Sequence, residues 1–243
     1  MTQILFTERR GGASAAPFDT LNLGDHVGDD PVAVAHNRRV LARQLGARPV
    51  FLRQVHGTEV VELTEDTPDG TEADACWTTS TEVACTIMVA DCLPILLTTP
   101  GGDSVAAVHA GWRGLLGILE ALAQAWPAAR TPAQRATLHA WLGPCIGPQA
   151  FEVGEDVRAA YLADHTDNAR WFTPLPESPG KYLAHLPALA RDRLQRLGIA
   201  HISGNDGTPE WCTVANPSRF FSHRRDARVR GSTGRMAACI WRG

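Results

Sequence analysis

The sequence predicts an α+β fold of layered sheets and helices, and three observations carry that expectation. From Val83 to Leu97 the chain is apolar nearly throughout, as strands buried on both faces are. Across Leu115–Trp126 the apolar residues Leu115, Ile118, Leu119, Leu122 and Trp126 keep the helical period instead. Strands and helices then mix without regular βαβ alternation, which favours a layered sandwich over a doubly wound sheet.

Taken in order, the chain opens with a short strand, Ile4–Thr7, and a loop containing Gly11, Gly12 and Pro17. A helix starts after Asp29-Asp30-Pro31, because Pro suits the first helical turn and acidic residues suit its positive end. It runs to Leu45 and stops at Gly46. Strands follow at Val50–Val55 and Glu59–Leu63, turning at His56-Gly57, and then across Val83–Leu97 with an interruption at Pro94. Val105–His109 is the next strand, leading through a Gly turn into the helix Leu115–Trp126. The second half reads as a strand at Thr137–Leu142 and helices at Glu155–Leu162 and Pro187–Leu197. Its last strands are expected at Phe220–Ser222 and Met236–Trp241. No composition break, linker or fixed-period repeat divides residues 1–243, so one domain is expected.

With 44% hydrophobic and 20% charged residues, the composition is that of an ordinary globular protein. The net charge of −3 argues against a general nucleic-acid binder, although arginine far outnumbers lysine and Lys181 is the one lysine. There is no apolar stretch of the length a membrane span needs and no basic, apolar start of a signal peptide. Six cysteines without an export signal are expected as reduced thiols, and the expected compartment is the cytoplasm.

The chemistry concentrates in three separated residues: His56 in Arg53-Gln54-Val55-His56-Gly57, Cys92 in Ala90-Asp91-Cys92-Leu93-Pro94, and His109 in Val108-His109-Ala110-Gly111-Trp112-Arg113-Gly114. Each lies where an apolar run gives way to Gly or Pro, at the end of an expected strand. Two imidazoles and a thiolate suit Zn²⁺, and three ligands leave a fourth position for water or substrate. Such an ion lowers the pKa of bound water towards about 7 and makes it a nucleophile for a carbon such as C6 of a purine. The plainer alternative is a buried apolar cysteine and two hydrogen-bonded histidines.

Asp91 is read as a general base, as a partner holding a ligand histidine, or as a structural carboxylate. Arg113, at the start of the helix after His109, is the candidate phosphate contact. The run Phe221-Ser222-His223-Arg224-Arg225-Asp226 is a polar cluster that lines a cleft or forms a solvated basic turn. Walker A, GxGxxG, GxSxG and HxH patterns are absent, as is the HxE with PCxxC of base deaminases. Nine scattered histidines without an HxH pair do not suit a multicopper array.

Together these segments resemble the YfiH-type family, described variously as laccase-domain or multicopper polyphenol oxidase, purine nucleoside phosphorylase and peptidoglycan editing factor. The resemblance runs nearly end to end. It rests on Phe6–Ser14, Leu21-Asn22-Leu23-Gly24, Val27-Gly28-Asp29-Asp30 with Asn37-Arg38, and Gln54-Val55-His56-Gly57. Ala73-Asp74-Ala75, Ala90–Pro94 and His109–Gly114 continue it, followed by Gly143–Pro148 with Phe151–Gly154, Ser222–Asp226 and Gly234-Arg235.

The resemblance implies a four-layer α/β/β/α sandwich and zinc held by His56, Cys92 and His109, with copper as the alternative metal. It implies phosphorolysis of adenosine, inosine and methylthioadenosine, adenosine deamination, and a cellular role in peptidoglycan fidelity. Asp91 and Arg113 are then the catalytic candidates and Gln54 and Arg224 the substrate-binding ones. The expected partners are a nucleoside and phosphate, with no nucleic acid, membrane or partner protein. His185-Leu186 stands where the family usually reads Asp-Leu, and the turn between Asp226 and Gly234-Arg235 is longer than usual. A competing expectation is a cysteine hydrolase or deamidase with Cys92 as nucleophile and His109 as base, the fold being shared by resemblance with toxin deamidases. His56 discriminates, since such a dyad needs no third soft ligand.

Overall fold

The computed structural model describes residues 1–243, apart from the side chains of Arg228 and Arg230. In chain order come β1 (Thr2–Phe6), α1 (Pro31–Leu45), β2 (Arg48–Phe51), β3 (Val60–Glu62), β4 (Ala75–Thr78), β5 (Val83–Val89), β6 (Leu93–Thr98) and β7 (Val105–Ala110). There follow α2 (Ile118–Ala125), α3 (Pro132–Thr137), β8 (His139–Leu142), β9 (Glu152–Gly154) and α4 (Glu155–Asp164). The last elements are β10 (Phe172–Pro174), β11 (Lys181–Ala184), α5 (Leu186–Arg196), β12 (His201–Gly204), α6 (His223–Arg230) and β13 (Met236–Arg242).

The strands form three mixed or antiparallel sheets. One has the order β1-β13-β5-β2, the largest β12-β8-β6-β7-β4-β3, and the smallest β10-β11-β9. The period-2 alternation of a strand sorts their side chains between cores. In β5, Val83, Cys85, Ile87 and Val89 pack towards the six-stranded sheet, where they meet Leu96 of β6 and Val105 and Ala107 of β7. The alternate residues Ala84 and Met88 pack with Leu41 and Leu45 of α1. On the far face of the six-stranded sheet, Ile95, Leu97 and Val108 pack against Ile118 and Leu122 of α2, Tyr161 of α4 and Leu189 of α5. The order is therefore helix, four-stranded sheet, six-stranded sheet, helices: the four-layer α/β/β/α sandwich that the resemblance implies.

Local chemistry explains where elements begin and end. Asp30 caps α1 by accepting the Val32 N–H at 3.0 Å, Pro31 takes the first turn, and Gly46 closes the helix in the left-handed region at φ 67°. Asn37 of α1 is fully buried and ties down the loop before it. Its Oδ1 accepts the Ala13 N–H at 2.8 Å, and its amide nitrogen lies within 3.1 Å of Ser14 Oγ, Thr20 O and Asn22 O.

Four expectations need correction. Pro94 does not interrupt the apolar run; it sits inside β6, paired with His109, and the break lies at Ala90–Cys92, where Asp91 takes φ 93°. The helix after His109 is split at Gly117 into a 3-10 turn, Gly114–Leu116, and α2. The strand from Val50 ends at Phe51, and beyond it the Gln54 side chain rather than the backbone bonds Met88 of β5. Phe220–Ser222 forms no strand: both phenylalanines fill the core between the sheets, and Ser222 caps α6 through the Arg225 N–H at 3.2 Å. That helix also takes up the long turn before Gly234-Arg235, closing at Gly231 with φ 76°. His185, the other departure from the family pattern, caps α5, its Nδ1 accepting the Ala188 N–H at 3.2 Å.

Asn37→Asp tests the loop anchor, since it replaces an amide donor by a carboxylate facing three acceptors. We expect a loss of about 2 kcal/mol or more, read as a lower urea midpoint at unchanged slope. A midpoint equal to the parent's would show that the loop does not depend on this side chain.

Candidate active site

Asp74, just before β4, is fully buried, and its carboxylate organises the site. It accepts the backbone N–H groups of Val55 at 3.1 Å, His56 at 2.9 Å and Gly57 at 2.7 Å. Its Oδ1 also lies 2.8 Å from His109 Nδ1, and its backbone oxygen accepts the His109 N–H at 2.7 Å. Burial pushes the Asp74 carboxyl up, but the His109 hydrogen bond, the Gly57 N–H and the His109 charge outweigh it and hold the group below the usual carboxylate range. Three amides converging on one carboxylate also hold His56 at φ 61°, a left-handed backbone that a non-glycine residue adopts only under such constraint. His56 thus sits on a locked loop rather than at a strand end. Gln54 locks the same loop from its other side: its Oε1 accepts the Met88 N–H and its Nε2 donates to Met88 O, both at 2.8 Å.

Cys92 arrives from the β5–β6 connection and His109 from β7. The donor atoms of His56, Cys92 and His109 lie within 4.8 Å of one another, with His56 Nε2 3.6 Å from Cys92 Sγ. The His56 and His109 rings meet edge to face, centroids 4.7 Å apart. Space for the group comes from Gly111: a Cβ there would lie 2.9 Å from His56 Cδ2 and 3.1 Å from Cys92 Sγ. With His109 Nδ1 turned to Asp74, its Nε2 is left for a ligand, as in carboxylate–histidine–metal arrangements. Two imidazoles, one thiolate and a cradle kept clear by glycine are placed to hold a metal ion.

Without metal the same atoms form an ion pair. Burial raises the Cys92 thiol, but the His109 charge and hydrogen bonding by both imidazoles bring it down to about 6. Burial lowers His109, and the Cys92 charge and the Asp74 hydrogen bond overcome it, raising the imidazole to about 9. Near neutral pH the thiolate faces an imidazolium. The thiolate is the form that binds metal or attacks carbon.

The triad opens into a cavity of about 660 Å³. Trp112, Ile146, Phe151 and Leu186 line one side, Phe51 and Met88 the other, and Asp91, His223, Arg224 and Arg235 stand among them. Asp91 holds its φ of 93° because its backbone oxygen accepts the Ile146 N–H at 2.9 Å. Its carboxylate accepts the Thr213 hydroxyl at 2.5 Å and the Arg224 N–H at 2.6 Å. Arg224 donates to Glu152 O at 3.0 Å and lies 5.8 Å from the Phe151 ring centre.

The structure therefore brings His56, Cys92, His109, Asp91, Gln54 and Arg224 to one cavity. It does not bring Arg113: that side chain is exposed, lies over the Trp112 ring at 4.9 Å and is not among the lining residues. The chain after it forms a 3-10 turn, Gly114–Leu116, and the Arg113 side chain stacks on Trp112 rather than entering the cavity. Gln54 lines the cavity, and its amide oxygen and nitrogen each make one bond to Met88, so it holds the His56 loop while keeping a second N–H and a second lone pair. Asp91 does not hold a ligand histidine; Asp74 does. Asp74 carried a signal in the sequence, a carboxylate interrupting the small apolar run Ala73-Asp74-Ala75-Cys76. Arg235 and Gly111 were visible only as members of motifs.

The chain is similar to known proteins over nearly its whole length. Residues 3–243 match the model of a family described as multi-copper polyphenol oxidoreductase laccase. A protein of Pseudomonas aeruginosa named purine nucleoside phosphorylase is 47% identical over 236 residues, covering 97% of this chain and 91% of that one. Purine nucleoside phosphorylase YfiH of Escherichia coli is 44% identical over 236 residues, covering 96% and 90%. A Neisseria meningitidis protein of known crystal structure superposes with a TM-score of 0.88 at 43% identity, over 99% of this chain and 93% of that one.

Gly111→Ala probes the metal cradle directly, because the added methyl group intrudes on two of the three donors. Zinc affinity, measured by competition with a chromophoric chelator, is expected to fall by about tenfold or more in a protein that still folds. Parent-like affinity would mean the three donors do not act together.

Proposed function

Because the chain belongs to the laccase-type, YfiH family, with relatives named purine nucleoside phosphorylase, we propose that it is a zinc-dependent purine nucleoside enzyme. Its reaction is phosphorolysis of adenosine, inosine or methylthioadenosine to the free base and the sugar 1-phosphate, with deamination of adenosine at the same site. The observation that carries this reading is the open donor triad at the edge of a 660 Å³ cavity that combines aromatic walls with cationic groups. That size and mixture suit a small ligand with a flat apolar part and a polar part.

One thiolate and two imidazoles with a free fourth position suit Zn²⁺, and copper accepts the same donors. When bound, such an ion supplies Lewis acidity and positive charge beside the reacting atoms. The chain's own residues do the positioning. Trp112, Ile146, Phe151 and Leu186 offer the surface on which a purine packs. Asp91, fixed by Thr213 and the Arg224 N–H, keeps lone pairs for a sugar hydroxyl or a base N–H. Arg224, anchored through Glu152 O, presents its remaining N–H groups to the polar side of the ligand. In phosphorolysis a phosphate oxygen bonds C1′ as the glycosidic C–N bond breaks, and the departing base nitrogen takes the proton that phosphate gives up.

A second reading has its own observation. Cys92, His109 and Asp74 also stand as nucleophile, base and orienting carboxylate, with the thiol at about 6. This is the arrangement of a cysteine hydrolase or deamidase, and it has no use for His56.

Inosine turnover with and without phosphate, products separated chromatographically, tests the first reading. Zinc-loaded protein is expected to release hypoxanthine and ribose 1-phosphate in a phosphate-dependent reaction, and His56→Ala to lower it by about tenfold or more. Retention of catalysis in His56→Ala with its loss in Cys92→Ser would favour the hydrolase. Absence of base release under every condition would overturn the phosphorylase reading.

A further inference from the structure

Of the four arginines lining the cavity, Arg224 and Arg235 carry no carboxylate on the guanidinium, and Arg235 is buried enough for its pKa to be lowered. Arg38 pairs with Asp25 at 3.2 Å and Asp69 at 3.7 Å, and Arg53 pairs with Glu72. No described carboxylate lies within 4.0 Å of the Arg235 guanidinium. The residue is nonetheless held firmly. Its N–H donates to Asn22 Oδ1 at 2.8 Å, and one amino group of the side chain donates to Thr233 O at 3.0 Å and Gly234 O at 3.3 Å. The stem packs on Gly24, where a Cβ would come within 2.7 Å of Arg235 Cγ. Nε and the second amino group have no described acceptor.

Neither free donor is fully buried and the residue lines the cavity, so an anion bound there can take the place of the water that solvates them. Asp91 is not paired with it: no Asp91 oxygen lies within 4.0 Å of the guanidinium, and the carboxylate accepts from the Thr213 hydroxyl and the Arg224 N–H instead. Arg235 still stands near the triad, since burial lowers its pKa while the charges of Cys92 and Asp91 act to raise it. Its charge is also felt at His26, another lining residue, whose imidazole is pushed down first by burial and then by Arg235. Guanidinium donors in this state match a tetrahedral oxyanion, which accepts two parallel N–H bonds.

We propose that Arg235 is the oxyanion anchor of the cavity, its free Nε–H and amino group holding inorganic phosphate beside the His56–Cys92–His109 triad. The inference rests on the nucleoside reading for the phosphate's use as co-substrate, and it replaces Arg113 in that role. Arg235 binds and orients the anion; the lining walls and Asp91 serve the nucleoside.

The test is a titration of zinc-loaded protein with inorganic phosphate, followed by calorimetry or ³¹P line width, for the parent, Arg235→Gln and Arg235→Lys. Arg235→Gln is expected to weaken phosphate binding roughly ten- to hundred-fold, and Arg235→Lys, which keeps the charge but not the fork, by less. Where inosine phosphorolysis is measurable, KM for phosphate rises in parallel and KM for inosine moves much less. Thermal unfolding identifies a variant that does not fold, and Arg235→Lys then carries the comparison. Equal phosphate affinity in the parent and the folded variants, or no phosphate binding by the parent, overturns the anchor. Arg235-dependent phosphate binding without base release leaves the anchor standing and overturns the phosphorylase reading instead.

Discussion

A single buried carboxylate, Asp74, is the constraint on which the rest of the site depends. An unpaired charge at that depth would cost several kcal/mol. Three backbone amides and one imidazole meet it instead, and each of those bonds also does geometric work. The amides of Val55, His56 and Gly57 wrap a loop into a left-handed turn that presents His56. The imidazole bond orients His109, leaving Nε2 towards Cys92. Two ligands that are 53 positions apart in sequence thus become one rigid pair. Cys92 joins them from the β5–β6 connection, whose own left-handed residue, Asp91, is fixed by Ile146, Thr213 and the Arg224 N–H.

The layered architecture makes this convergence available. β4 and β7 lie side by side in the six-stranded sheet, so Asp74 at the start of one reaches His109 at the end of the other. β5 belongs to the four-stranded sheet and β6 to the six-stranded sheet. Their short link, carrying Asp91 and Cys92, therefore crosses between layers at the cavity. Gln54 and Met88 tie the His56 loop to β5. The cavity thus draws walls from both sheets: Phe51 and Met88 on one side, Ile146 and Phe151 on the other.

Much of this was legible in the residues. The helix from Pro31 to Leu45 shows its cap and stop, the apolar run shows its buried strands, and the triad shows its donor chemistry. What failed did so for identifiable reasons. β9 to β12 are three or four residues long and largely exposed, so they carry no alternation to read. Phe220 and Phe221 imitate a strand because core filling and strand pairing use the same residue types. Pro94 reads as an interruption, yet it lies beyond the stretch of β6 that pairs with β8 and can stay in the strand. Arg113 looked like an anion contact because sequence shows a Gly turn entering a helix, but not the stacking on Trp112 that keeps the side chain exposed. Arg235 shows the opposite failure: its significance lies in an absent counter-ion, which only three-dimensional packing reveals.

Asp74 sets the tautomer of His109 and so completes the three-donor group. Imidazole ¹⁵N spectroscopy of the zinc-loaded protein measures this directly. His109 is expected to carry a slowly exchanging proton on Nδ1, shifted by its carboxylate partner, with Nε2 unprotonated and perturbed by the metal. A His109 protonated on Nε2, with Nδ1 bare, would contradict it.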